Sequence, residues 1–263
     1  MTIPVLLAGS LLQGLALLPV VALLGWRRAS CRWSLVASAL GLIVLQQLAT
    51  GHTELHSLIP GTAWNWQGKL AALALGLVLV AVLLRAGWRR QEFGLAFRQQ
   101  PGSLRATLTA VVLVSAAQTA IALRAGGPLP WDWETLAFQA TLPTLAEELM
   151  MRGVLLGVLN RAFPSRRTVL GAACGWGVPL TAVSFALSHG LSVGRHADGA
   201  SSLVHGWSLA MNLAAFGRTL FTGLVYAWMR ERSGSLLMPM AMHTLVNTGG
   251  TLGRMLLPAR PGS

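Results

Sequence analysis

Eight stretches of this chain, each 18–25 residues long, run with few or no charged residues, and this pattern restricts the folds open to it more than any other feature. A helix needs about 20 apolar residues to cross a bilayer core of ~30 Å. The stretches run from about Ile3 to Gly25, Trp33 to Thr50, Trp64 to Leu84, Ala106 to Leu123, Thr135 to Leu159, Thr168 to His189, Trp207 to Met229 and Leu236 to Leu257. Only 11% of the 263 residues are charged and 54% are hydrophobic, whereas a soluble domain carries about 25% charge. So few charges cannot coat a water-soluble globule. The expected fold is an all-α polytopic membrane helix bundle of about eight transmembrane helices, forming one membrane domain over residues 1–263.

The net charge of +12 does not point to nucleic acid, because the arginines sit in short loops rather than on one basic face. The loops after spans one, three, five and seven hold Arg27, Arg28 and Arg32; Arg85, Arg89, Arg90, Arg98 and Arg105; Arg161, Arg166 and Arg167; and Arg230 and Arg232. The opposite side holds Lys69, Arg124, Arg195, Arg254 and Arg260. By the positive-inside rule this alternation places both termini outside the cytoplasm of a bacterial inner membrane. The first span lacks a basic leader and a cleavage site, so it is expected to be retained. Residues 85–105 are expected to lie along the inner interface as an amphipathic segment or a tethered loop. Cys31 and Cys174 form no Cys-x-x-Cys pair, which argues against a disulfide framework or a thiolate metal site.

Ionisable groups inside a span cost at least ~2.5–3.5 kcal/mol each and are functional candidates by default. Span five holds three: Glu147, Glu148 and Arg152. Glu148 and Arg152 are four residues apart, acid first, and suit a supporting salt bridge on one helix face. Glu147 is rotated by about 100° and must face water or find its partner on another helix. Span six ends with Phe185 and His189 at the same spacing, and span eight carries His243 and Asn247. Pro143 and Pro239 each lie four residues before a polar residue and are expected to kink their helices and open a wet cavity. A carboxylate beside an imidazole can deprotonate a water. A second imidazole with a carboxamide can stabilise an oxyanion.

The ordered set Glu147-Glu148-x-x-x-Arg152, Phe185-x-x-x-His189 and His243-x-x-x-Asn247, with the Gly223–His243 lead-in, resembles the CPBP family of CAAX proteases and bacteriocin-processing enzymes, also called Abi. The resemblance covers about residues 135–250; residues 1–134 read as variable N-terminal spans and 135–257 as the core. It implies an intramembrane endopeptidase acting on a membrane-associated protein or peptide. In it Glu147 and His189 activate water, His243 and Asn247 stabilise the oxyanion, and Glu148, Arg152 and Phe185 support the site. A metal-free glutamate mechanism is favoured; a zinc ion, if used, would be held by Glu147, His189 and His243. The alternatives are a catalytically inactive immunity or scaffold protein of the same fold, and a proton-coupled transporter.

Several further expectations follow from spacing. For His189 and His243 to meet Glu147, span six must begin near Trp176 or be broken at Pro179, and the break is preferred. Arg218 is expected to bind a carboxylate or a substrate carbonyl, or to pair structurally with Glu148. The clusters His52/Glu54/His56 and His196/Asp198/His205 read as solvated loops. Gly153/Gly157 and Gly171/Gly175 read as helix-packing pairs. Trp64/Trp66 and Trp131/Trp133 read as interfacial anchors.

Overall fold

The computed structural model describes residues 3–18, 21–22, 31–51, 59, 61–195 and 207–257. Helix α1 spans Ile3–Ala16, α2 Trp33–Gly51, α3 Trp66–Arg85 and α4 Leu104–Ala125, with a 3₁₀ turn at Arg90–Phe93. Helix α5 covers Trp133–Ala140 and α6 Leu142–Glu148, which passes into a π-helical turn, Leu149–Leu155, and then α7, Leu156–Ala162. An antiparallel hairpin follows, β1 Arg166–Val169 and β2 Ala172–Gly175, leading to α8 at Gly177–Gly190. Strands β3, Leu191–Arg195, and β4, Trp207–Met211, pair antiparallel before α9, Leu213–Ser233, and α10, Leu237–Met255.

Helix starts are set by local chemistry. Asn65, Asp132 and Asn212 cap α3, α5 and α9 by accepting hydrogen bonds from first-turn backbone N–H groups. Gly234 ends α9 in the left-handed conformation at φ 72°. Helices α8 and α9 pack along each other, as do α4 and α10. At the centre runs the π-helical turn, all seven of whose residues are buried. Such all-round burial needs a helix that is apolar on every face. Leu149, Met150, Met151, Val154 and Leu155 supply that, and Arg152 is the exception.

Three of the described helices, α2, α3 and α4, are long and apolar enough to cross a membrane. They coincide within two residues with the expected second, third and fourth spans. The protein is an integral membrane protein and mostly helical, but spans five, six and seven differ from the expected ones. Span five is interrupted at Thr141, and Pro143 starts α6 instead of kinking a longer helix. Pro239 likewise sits in the first turn of α10, where a missing N–H costs nothing. Span six loses its first half: residues 166–175 form the hairpin, α8 begins at Gly177, and Pro179 lies in its first turn. The later start near Trp176 is therefore what occurs, and the preferred break does not. The Gly171/Gly175 pair belongs to this hairpin, with Gly171 at φ 77° in its turn. Span seven also starts later, because residues 207–211 are strand β4.

Residues 85–105 are tied into the protein core through two aromatic side chains. Trp88 and Phe93 are buried in the core and stack on each other at 5.7 Å. Glu92 accepts two hydrogen bonds from Arg161, at 2.5 and 2.7 Å, and this guanidinium holds its carboxyl below the usual range. Phe97 alone among these aromatics is 90% exposed.

Gly157 is the closest approach in this corner. A Cβ there would stand 2.7 Å from the backbone oxygen of Glu92, so the pair Gly153/Gly157 admits the 3₁₀ turn and not a helix. Gly157→Ala should lower stability by about 1–3 kcal/mol, the usual range for overpacking. A thermal-unfolding series in detergent checks this, with Gly41→Ala as the control because nothing lies within 4 Å of a Cβ at Gly41.

Candidate active site

Four helices and the π-helical turn bring polar groups to one place. Glu147 and Glu148 end α6, and Arg152 lies in the π-helical turn. Phe185 and His189 lie on α8, Tyr226 on α9, and His243 and Asn247 on α10. π-Helical turns recur at functional sites because they re-aim side chains that a regular helix would point elsewhere.

Glu148 and Arg152 are both completely buried and paired at 2.9 Å, as their spacing predicts. The same carboxylate oxygen, Oε1 of Glu148, also accepts a hydrogen bond from Nδ1 of His243 at 2.8 Å. A carboxylate only accepts, so Nδ1 carries a proton and Nε2 is the nitrogen turned away from Glu148. That Nε2 stands 3.8 Å from Oε2 of Glu147. The separation is too long for a direct hydrogen bond and suits one bridging water. Oε2 of Glu147 is buried and has no protein hydrogen-bond partner among the described residues. Oε1 of Glu147 accepts a bond from Nζ of Lys69 on α3 at 2.5 Å.

His189 is oriented in the same way. Its Nδ1 donates to the Phe185 carbonyl at 2.9 Å, with the Ser188 hydroxyl 3.1 Å away, so its Nε2 is also free. The Phe185 ring packs against both imidazoles, its centroid 4.5 Å from that of His189 and 5.9 Å from that of His243. Tyr226 stacks on His243 at 5.0 Å. The Arg152 guanidinium lies over Phe185 and Tyr226, 4.3 and 4.9 Å from their centroids.

His189, His243 and Asn247 line a cavity of about 270 Å³ together with Gln118, Gln139 and Arg218. Glu147 does not line it, but its Oε2 stands 3.8 Å from Nε2 of His243, which does. Glu147, Glu148, Arg152, Phe185, His189, His243 and Asn247 thus gather at one site. Arg218 reaches the cavity rim, exposed, while the ion partners of Glu148 among the described residues are Arg152 and His243. The expected Arg218–Glu148 pair is not formed.

Two members of the site were not foreseen. In the sequence Lys69 counts only as a topology charge, although a lysine in an apolar span is itself a signal. Tyr226, the one tyrosine of the chain, lies in the quoted lead-in but had no role. Among the described residues no group of three His, Cys, Asp or Glu side chains is arranged to hold a metal ion. Trp64 and Trp66 are tied into the fold: Trp64 stacks on Phe138, and Trp66 donates to Glu134 at 2.9 Å. Trp131 and Trp133 are exposed and meet edge to face. The clusters His52/Glu54/His56 and His196/Asp198/His205 lie outside the described residues.

These features define a class: a helical membrane protein with a buried acid–imidazole site opening on a polar cavity. Residues 129–249 match the family model described as Rce1-like, type II CAAX prenyl endopeptidase Rce1-like. The matched segment covers a little under half of the chain, agrees with the resemblance carried by its motifs, and supports a CAAX-type protease. Neither the curated proteins nor the solved structures gave a match.

Proposed function

We propose that this protein is a CAAX-type intramembrane endopeptidase that hydrolyses a peptide bond near the prenylated end of a membrane-associated protein or peptide. The observation that carries this reading is the pair Glu147 Oε2 and His243 Nε2, 3.8 Å apart, with the other oxygen of Glu147 held by Lys69. A water between them gives its proton to Glu147 Oε2 as its oxygen attacks the scissile carbonyl carbon. His189 Nε2, facing the same cavity, accepts a second hydrogen bond from that water. The oxyanion formed takes hydrogen bonds from the Asn247 carboxamide and from His243 Nε2–H. Because Nδ1–H of His243 is committed to Glu148, this donor role requires the doubly protonated ring. Collapse breaks the C–N bond, and the amine leaves with the proton from Glu147.

Zinc does not suit these donors as they stand. The ammonium of Lys69 occupies Oε1 of Glu147, where a second cation would be repelled. We therefore derive no step through a metal. The remaining helices complete a bilayer-embedded bundle, and the arginine pattern favours both termini outside the cytoplasm of a bacterial inner membrane.

The test uses the full chain in liposomes with a farnesylated peptide ending in Cys-aliphatic-aliphatic-X, and mass spectrometry of the released C-terminal fragment. The expected result is release from the farnesylated peptide, not from its unmodified twin, at a rate a zinc chelator leaves unchanged. No release overturns the CAAX-type reading, and loss with the chelator that zinc restores overturns the metal-free mechanism.

A further inference from the structure

Lys69 lies 60 residues before the segment that matches the family model, and yet its ammonium touches Glu147. We propose that Lys69 is a positioning residue for Glu147: by holding Oε1 it aims Oε2 at His243, so that α3 completes a site otherwise built from the second half of the chain. This rests on the reading of Glu147 as the base.

The surroundings of Lys69 are built to fix its place. Asn65 caps α3 through Gly68 N–H at 2.8 Å and donates its amide to the Thr50 carbonyl at the end of α2, at 2.5 Å. Gly68 permits this approach, since a Cβ there would stand 2.3 Å from the Thr50 oxygen. On the other side Glu134 accepts from Ala63 N–H and from the Trp66 indole, at 3.1 and 2.9 Å, tying the start of α3 to α5. Helix α5 leads directly into α6, which carries Glu147. The start of α3 is thus clamped to α2 and α5 within a few residues of Lys69, and α5 runs on into the helix that carries Glu147.

The contact is also one-sided. Lys69 takes one oxygen of Glu147, and the other is buried with no protein hydrogen-bond partner among the described residues. A pair serving only to neutralise charge gains by engaging both oxygens, because an unsatisfied buried acceptor is costly. A glutamate has three rotatable side-chain bonds, and a charge-assisted bond to one oxygen fixes where the second points.

Lys69→Met keeps the length of the side chain and removes the cation. In the liposome assay it should lower kcat about 10²-fold, the loss expected for a misplaced reacting group, with KM within a factor of about three. In infrared spectra, the Glu147 carboxylate stretch, identified as the band lost in Glu147→Gln, should shift in K69M. Unchanged kcat and an unmoved band overturn the proposal, as does a raised KM at unchanged kcat. If K69M does not fold, K69Q is read by the same two measurements. A Glu147→Gln protein that still cuts, or an unaltered chain that does not, overturns the reading of the base, and the infrared band still decides whether Lys69 holds Glu147.

Discussion

Replacing Glu147 with glutamine is expected to lower peptide hydrolysis by about 10²–10⁴-fold, the range assigned to a positioned proton acceptor. The substitution changes shape very little. The glutamine carbonyl oxygen can still accept from Lys69 Nζ, so the link between α3 and α6 survives. What disappears is a carboxylate oxygen able to take a proton at the position 3.8 Å from His243 Nε2. Some stability should be lost as well, since the Lys69 ammonium, 16% exposed, keeps its charge but loses its counter-charge, although it keeps a hydrogen-bond acceptor. Measuring the initial rate beside a thermal midpoint separates the two effects. A fully active Glu147→Gln protein would remove Glu147 from the chemistry, whereas an inactive and unfolded one would assign it to the fold.

Part of this site was legible in the sequence because helical periodicity is short-range. Two charges four residues apart share a face in an α-helix, and they still meet where the helix widens to a π turn, so Glu148 and Arg152 were paired correctly. The same geometry demanded a partner for Glu147 from another helix, but could not say which. Lys69 is 78 residues upstream of it, and only the packing of α3 against α6 and the π-helical turn brings them together. His189 and Phe185 were also placed on one face, yet the start of their helix was misjudged. The run from Thr168 to Cys174 holds no charge and reads as more span. It contains β-branched Thr168 and Val169 before Leu170 and Gly171, both at positive φ, which turn the chain into a hairpin. A short apolar run does not distinguish a buried helix from a strand pair. The prolines misled for a related reason: a proline four residues before a polar group fits a kink or a helix start equally well, and Pro143 and Pro239 both begin helices.

The tautomers connect fold to chemistry. Each imidazole gives its Nδ1 proton to an acceptor that the scaffold supplies, Glu148 for His243 and the Phe185 carbonyl for His189. A metal ligand or proton carrier is commonly aligned through its second nitrogen in this way. The buried Glu148 therefore acts on the site through His243, and Arg152 acts through Glu148, so both should matter even though neither meets the cavity.

Arg152→Met should be strongly destabilising. The methionine fills much of the same volume but leaves Glu148 completely buried without its cation, and breaking a buried pair in this way costs about 3–5 kcal/mol. That is a large part of the ~5–15 kcal/mol by which a typical protein is stable. The guanidinium also lies over Phe185 and Tyr226, so its removal loosens rings that pack against the two histidines. In an unfolding series in mixed micelles, Arg152→Met should lose at least ~3 kcal/mol, while the double variant E148L/R152M should regain part of that loss by removing both charges. Its activity should not return, because His243 then has no acceptor for its Nδ1 proton. A cost below about 1 kcal/mol for Arg152→Met would mean that water or another cation reaches Glu148, and the buried triad of Arg152, Glu148 and His243 would no longer account for how the imidazole is held.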